Sequence, residues 1–95
     1  SGLRDARLSF YIAKDLLREG NIKESINEFK TMLDGLEKSY VDFGREQSTQ
    51  YFMKIHSDFF AKTFSMLGRK DLLIDIKQLD HDNHDLYDDY LDRMP

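Results

Sequence analysis

The chain has 95 residues and no cysteine; it carries a formal charge of −4 and is 40% apolar and 34% charged. That length makes a single domain with a thin stability margin, and the apolar content is too high for a disordered chain. The absent thiols exclude disulfide staples, thiolate metal sites and a cysteine nucleophile, and no run of about 18 apolar residues offers a membrane span.

Ser1-Gly2 reads as a tag-cleavage scar and is set aside from fold reasoning. A first helix is predicted from about Arg4 to Glu19, with Ala6, Phe10, Ala13 and Leu17 on one face and Ile12 and Leu16 widening it. Gly20 can take the left-handed conformation that closes a helix, Asn21 follows as an N-cap, and Glu24 completes a capping box. A second helix runs from Ile22 to Phe43 with Gly44 as its stop. Its stripe is Ile22, Ile26, Phe29, Leu33, Leu36 and Tyr40, and Gly35 inside it marks a bend or a close helix contact. Residues 44–48 read as a linker, with Ser48 or Thr49 capping a third helix over Gln50–Leu67. That helix has two apolar rows, Phe52, Ile55, Phe59, Met66 and Met53, Phe60, Phe64, Leu67, which is the pattern of an element packed on two sides. Gly68 ends it, and Asp71 caps a fourth helix holding Leu72, Ile76 and Leu79. Beyond lie Leu86, Tyr87, Tyr90, Leu91 and Met94. Helical phase continues through Asn83, so one long helix and two short ones both fit; Asp80, Asp82 and Asn83 favour a break.

Charge is unevenly placed. Residues 71–95 hold eight Asp against Lys77 and Arg93, a net of −6, which leaves +2 on the other 70 residues. This segment either pairs with Lys54, Lys62, Arg69 and Lys70, or stays solvated, or offers an acidic face to a basic partner.

The residues argue against chemistry. Asp80-His81-Asp82-Asn83-His84-Asp85 has metal-ligand density, but a calcium loop starting at Asp80 needs Gly at 85 and Glu at 91 and finds Asp85 and Leu91. If the segment is helical, His81 with Asp85, or His84 with Asp88, supplies two ligands, too few for zinc. His56 lies at the edge of an apolar face and reads as a packed histidine. The hydroxyls of Ser9, Ser25, Thr31, Ser39, Ser57, Thr63 and Ser65 have no local His–carboxylate partners. The five glycines are isolated, so there is no phosphate loop, and no basic stripe interleaved with aromatics is evident. Asp88 and Asp89 are adjacent and on a helix do not face each other. The expectation is a protein that is not an enzyme, with no metal, no cofactor, no nucleic-acid partner and no membrane partner.

The chain echoes itself. Leu16-Leu17-Arg18-Glu19-Gly20-Asn21-Ile22 and Met66-Leu67-Gly68-Arg69-Lys70-Asp71-Leu72 both end an apolar helix near a glycine and start another at once. The predicted units are hairpins over about 4–43 and 49–94. Ser9–Ser39 resembles the tetratricopeptide repeat family: Ala13 at the small position of the first helix, Gly20 in the turn, Ser25 for the small alanine of the second helix, Phe29 at the aromatic site and Met32 at another alanine site. It departs at Glu37, where a proline closes that repeat, and the second unit departs at Asp75 and Leu79. The segment GNIKESINEF also resembles microtubule-interacting-and-trafficking domains, which are three-helix bundles. The fold expected is all-α, two stacked antiparallel helical hairpins, tetratricopeptide-like or a four- to five-helix bundle. The first resemblance implies a non-catalytic module that binds a peptide or partner domain in a groove lined by first helices, with Tyr11, Lys14 and Arg18 as contact residues. The alternative is a helical oligomerisation or structural segment of a larger protein, with a homo-oligomer in view, since repeat arrays usually need three units.

Overall fold

The computed structural model describes residues 2–42 and 44–95. The described residues are 84% helical and contain no strand. Five helices follow in order: α1 (Gly2–Arg18), α2 (Ile22–Val41), α3 (Glu46–Met66), α4 (Lys70–Leu79) and α5 (His84–Arg93). The chain divides into two compact units, 1–49 and 50–95, and α3 starts in the first and continues through the second.

In the first unit α1 and α2 pack as an antiparallel pair. Leu3, Ala6, Phe10 and Ala13 are buried on α1 at spacings of three and four, and Phe29, Met32, Leu33 and Leu36 on α2. The turn between them is a Schellman motif. Asn21 N donates to Leu16 O at 2.9 Å and Gly20 N to Leu17 O at 3.1 Å, with Gly20 at φ +84°. Close approach is bought with small residues at the far end of the pair. A Cβ on Gly35 would stand 2.7 Å from the Gly2 carbonyl oxygen and 3.1 Å from Ala6 Cβ. Of the two sequence readings of Gly35, the structure selects the close helix contact, and Gly2, set aside as a scar, lies in that contact. At the other end, the buried Ser25 hydroxyl donates to Ala13 O at 2.8 Å. Where α2 ends and α3 begins, Ser39 and Thr49, both fully buried, lie 2.7 Å apart through their hydroxyls. Ser39 Oγ also lies 2.6 Å from Leu36 O and Thr49 Oγ1 2.8 Å from Arg45 O. Each hydroxyl carries one proton, so one donates to its carbonyl and the other donates across the pair.

In the second unit α3 carries a column of rings one helical turn apart. His56 packs edge-on to Phe52 at 4.9 Å and to Phe60 at 6.2 Å, and Phe60 stacks on Phe64 at 5.8 Å. A second Schellman turn follows. Arg69 N donates to Phe64 O and Gly68 N to Ser65 O, both at 2.9 Å, with Gly68 at φ +69°. The chain then breaks between α4 and α5 at 80–83, as the Asp and Asn residues there predicted. Asp80 closes α4 and is fully buried. Its carboxylate accepts the Tyr87 hydroxyl at 2.8 Å and the Asn83 side-chain amide at 3.0 and 3.1 Å. Burial, the Asp80 charge and its hydrogen bond push the Tyr87 phenol far above its ordinary value of 10.0, so it stays the donor. Lys77 of α4 pairs with Asp88 of α5 at 2.5 Å, and Gln50 Nε2 donates to Leu79 O at 3.5 Å.

Several local expectations change. Asn21 makes no side-chain cap bond; its amide lies 3.5 Å from Glu19 instead, so the turn rests on its backbone bonds. The α4 cap is Arg69, not Asp71, and the Arg69 guanidinium grips the Asp71 carboxylate at 2.7 and 3.0 Å. That grip holds the Asp71 carboxyl below its usual range. α3 starts at Glu46, ahead of Ser48 and Thr49, because Thr49 is drawn inward to Ser39 and cannot cap. α2 ends at Val41; the predicted end at Phe43 lies outside the described residues. Four apolar residues expected in buried stripes are exposed: Ile12, Ile22, Ile55 and Met66. On α3 the buried positions (Thr49, Phe52, Met53, Ser57, Phe60, Ala61, Thr63 and Phe64) occupy about half the circumference. The predicted row Phe52–Ile55–Phe59–Met66 is split: Phe52 is buried, Phe59 half-buried, and Ile55 and Met66 face solvent.

Candidate functional site

The outward face of α1 gathers the strongest combination of charge and exposed apolar surface. With Leu3, Ala6, Phe10 and Ala13 turned inward, the helical period turns Arg4, Arg7, Tyr11, Lys14 and Arg18 outward in one line, at spacings of three, four, three and four. Leu8 is 61% exposed and Tyr11 57%, and Ile12 extends the apolar ridge beside the basic line. Arg4, Asp5, Arg7, Leu8 and Tyr11 line a shallow depression there.

All three residues expected to contact a partner lie in this line. The Lys14 ammonium sits 4.3 Å from the Phe10 ring centroid and 5.1 Å from that of Tyr11. A cation held over two ring faces is an ordered charge, since ring and ammonium fix each other. Arg18 is exposed and pairs with Asp15 one turn back. The structure therefore brings Tyr11 and Lys14 together and places Arg18 a turn further on. Sequence reading missed Arg4, Arg7 and Leu8, and with them the basic stripe containing an aromatic; the signal was their spacing with Tyr11 and Lys14.

The acidic segment was expected to pair, stay solvated or meet a partner, and it divides. Asp71 pairs with Arg69 and Asp88 with Lys77, and Asp80 is internal. Asp82, Asp85, Asp89 and Asp92 are exposed, and the last three fall in one line on α5 at spacings of four and three. The Asp80–Asp85 cluster loses its best donor, because the Asp80 oxygens are committed to Tyr87 and Asn83. Among the described residues no three His, Asp or Glu side chains converge as metal ligands, and no helix is long and apolar enough to cross a membrane.

α3 offers a second exposed apolar row, Tyr51, Ile55 and Met66, but Lys54, Asp58 and Lys62 intersperse it with both signs of charge. The α1 line Arg4–Arg7–Tyr11–Lys14–Arg18 contains no acidic residue, and Leu8 and Ile12 lie exposed beside it.

In comparisons with known proteins, no family model, no curated protein and no solved structure matches this chain.

Proposed function

We propose that the chain is a non-catalytic protein-interaction module that engages a peptide or partner domain through the outward face of α1. The observation that carries this reading is the line Arg4–Arg7–Tyr11–Lys14–Arg18 beside the exposed Leu8 and Ile12. Aromatic and arginine side chains are the residue types that anchor protein interfaces. An apolar ridge left open beside ordered cations gives a partner something to bury and something to orient on. The α1–α2 pair, joined through a glycine-closed turn as in tetratricopeptide-like repeats, suits such a use, in which first helices line the binding surface.

A peptide array probed with the intact chain and with Leu8→Asp/Tyr11→Ala tests the reading. Both substitutions fall on exposed positions, so the fold is retained and circular dichroism is unchanged. The expected outcome is a set of bound peptides that the double variant loses by at least tenfold. Peptides bound equally by both chains place binding elsewhere and overturn the reading.

A further inference from the structure

The chain carries both halves of a complementary contact. On α1 a basic line with Tyr11 is flanked by Leu8 and Ile12; on α5 the exposed line Asp85–Asp89–Asp92 is flanked by the half-buried Leu86 and Tyr90. The two lines share the helical period, so when the helices lie side by side two of the carboxylates fall opposite cations and the third falls opposite Tyr11. Arg93 lies beside that line, stacked 4.4 Å over the Tyr90 ring and donating to the Asp89 carbonyl oxygen. A nucleic acid fits the α1 face less well, since the line holds a single exposed ring, Tyr11, for stacking and the whole chain carries −4.

We infer that the outward face of α1 docks the acidic face of α5 from a second copy of this chain. The inference rests on α1 being the docking surface and names its occupant. The contact joins unlike faces, α1 of one copy and α5 of the other, so it either closes as a two-fold pair in which each copy gives both faces or runs head to tail. Ionic strength sets where to look. Two chains of −4 repel at long range, and at about 0.01 M salt that repulsion reaches roughly 30 Å. At about 0.1 M it falls to roughly 10 Å, leaving the close pairs between the faces effective; at about 1 M, with a screening length near 3 Å, those weaken too.

The test is sedimentation velocity on four forms of the full chain at several concentrations in about 0.1 M and about 1 M salt. They are the native sequence, Arg4→Glu/Arg7→Glu, Asp89→Lys/Asp92→Lys, and the chain carrying all four substitutions. The fourfold variant keeps the native net charge of −4, so it exchanges the sign at two positions on each face without changing overall repulsion. All four substitutions are at exposed positions, and Arg4→Glu in the first turn of α1 and Asp92→Lys in the last turn of α5 also agree with the helix dipoles, so all forms fold. The native chain is expected to gain mass with concentration at the lower salt and to lose most of that gain at the higher. Each double variant is expected to associate at least tenfold more weakly, and the fourfold variant to recover. A native chain that sediments as a monomer throughout overturns the inference and leaves the α1 reading standing if the peptide array supports it. Association that both double variants retain assigns the contact to another surface and overturns the inference as well.

Discussion

At the scale of single residues, the first unit depends on an absent side chain. Gly35 lies inside α2, where alanine would gain about 1 kcal/mol of helix propensity. Its added Cβ, however, would meet a backbone oxygen at 2.7 Å and Ala6 at 3.1 Å, and backbone cannot swing aside as a side-chain tip can. Overpacking of this kind costs about 1–3 kcal/mol, so steric conflict outweighs propensity. Gly35→Ala is expected to lower the urea midpoint with little change in slope, and a raised midpoint would show that α1 and α2 separate at little cost. The second unit has its counterpart in Tyr87. Replacing it by phenylalanine leaves Asp80 with Asn83 as its side-chain donor, and losing a hydrogen bond to a charged group costs about 1.5–3 kcal/mol. The phenol's proton affinity is raised on folding, so above pH 10.0 the unfolded chain releases that proton while the folded chain keeps it, and stability falls as pH rises. Below that pH the contribution is fully present. The stability difference between the native chain and Tyr87→Phe is therefore expected to hold between pH 7 and 9 and to shrink above pH 10.0 by about 1.4 kcal/mol per unit. Denaturant titrations at each pH measure it, and a difference that stays constant to pH 11 would contradict the buried phenol.

At the scale of elements, the two glycine turns are the best tests, because backbone conformation alone sets their cost. A Cβ at Gly20 or Gly68 meets nothing within 4 Å, while φ is +84° and +69°. Gly20→Ala and Gly68→Ala should each cost about 1–2 kcal/mol from the left-handed backbone, and they should add, since the turns share no partner. Asparagine at either site should cost less than alanine, being more tolerant of that conformation. Thermal melts of the singles and the double check this; an alanine variant as stable as the native chain would show the turn adopting another form. These turns were legible in the sequence because a glycine between apolar helical rows has few other uses, and the break at 80–83 was legible because Asp and Asn compete with helix hydrogen bonds. The buried Asp80 was not legible: a carboxylate in a polar turn reads as solvated, and its partner Tyr87 stands seven residues away. Nor was the exposure of Ile12, Ile22, Ile55 and Met66, because periodicity reveals that a helix has an apolar face without revealing how much of it a neighbour covers. The site was legible in part. Tyr11, Lys14 and Arg18 came from an expected exposed face, but the stripe through Arg4 and Arg7 emerges only once the buried side of α1 is known.

At the scale of the whole molecule, the governing asymmetry is electrostatic: residues 71–95 carry −6 and the remainder +2. Within α5 this distribution opposes the fold. Asp92 lies in the last turn, where the helix dipole disfavours a carboxylate by about 0.3–1 kcal/mol, and Asp88 one turn earlier adds like-charge repulsion of about 0.2–0.5 kcal/mol. Asp85, in the first turn, is favourably placed, so the penalty is local to the C-terminal end of the helix. Asp92→Lys reverses both unfavourable terms and should raise the melting temperature by a few degrees, given about 4–8 °C per kcal/mol for a domain of this size. The native chain should likewise gain thermal stability between about 0.05 M and 0.5 M salt, as screening relieves the crowded carboxylates, and the variant should gain less. If instead Asp92→Lys melts below the native chain, the carboxylate is making a contact within the fold and does not belong to an open acidic face. If it melts above and also associates less readily with its own kind, stability and assembly draw on that residue in opposite directions, as expected of a side chain kept for binding.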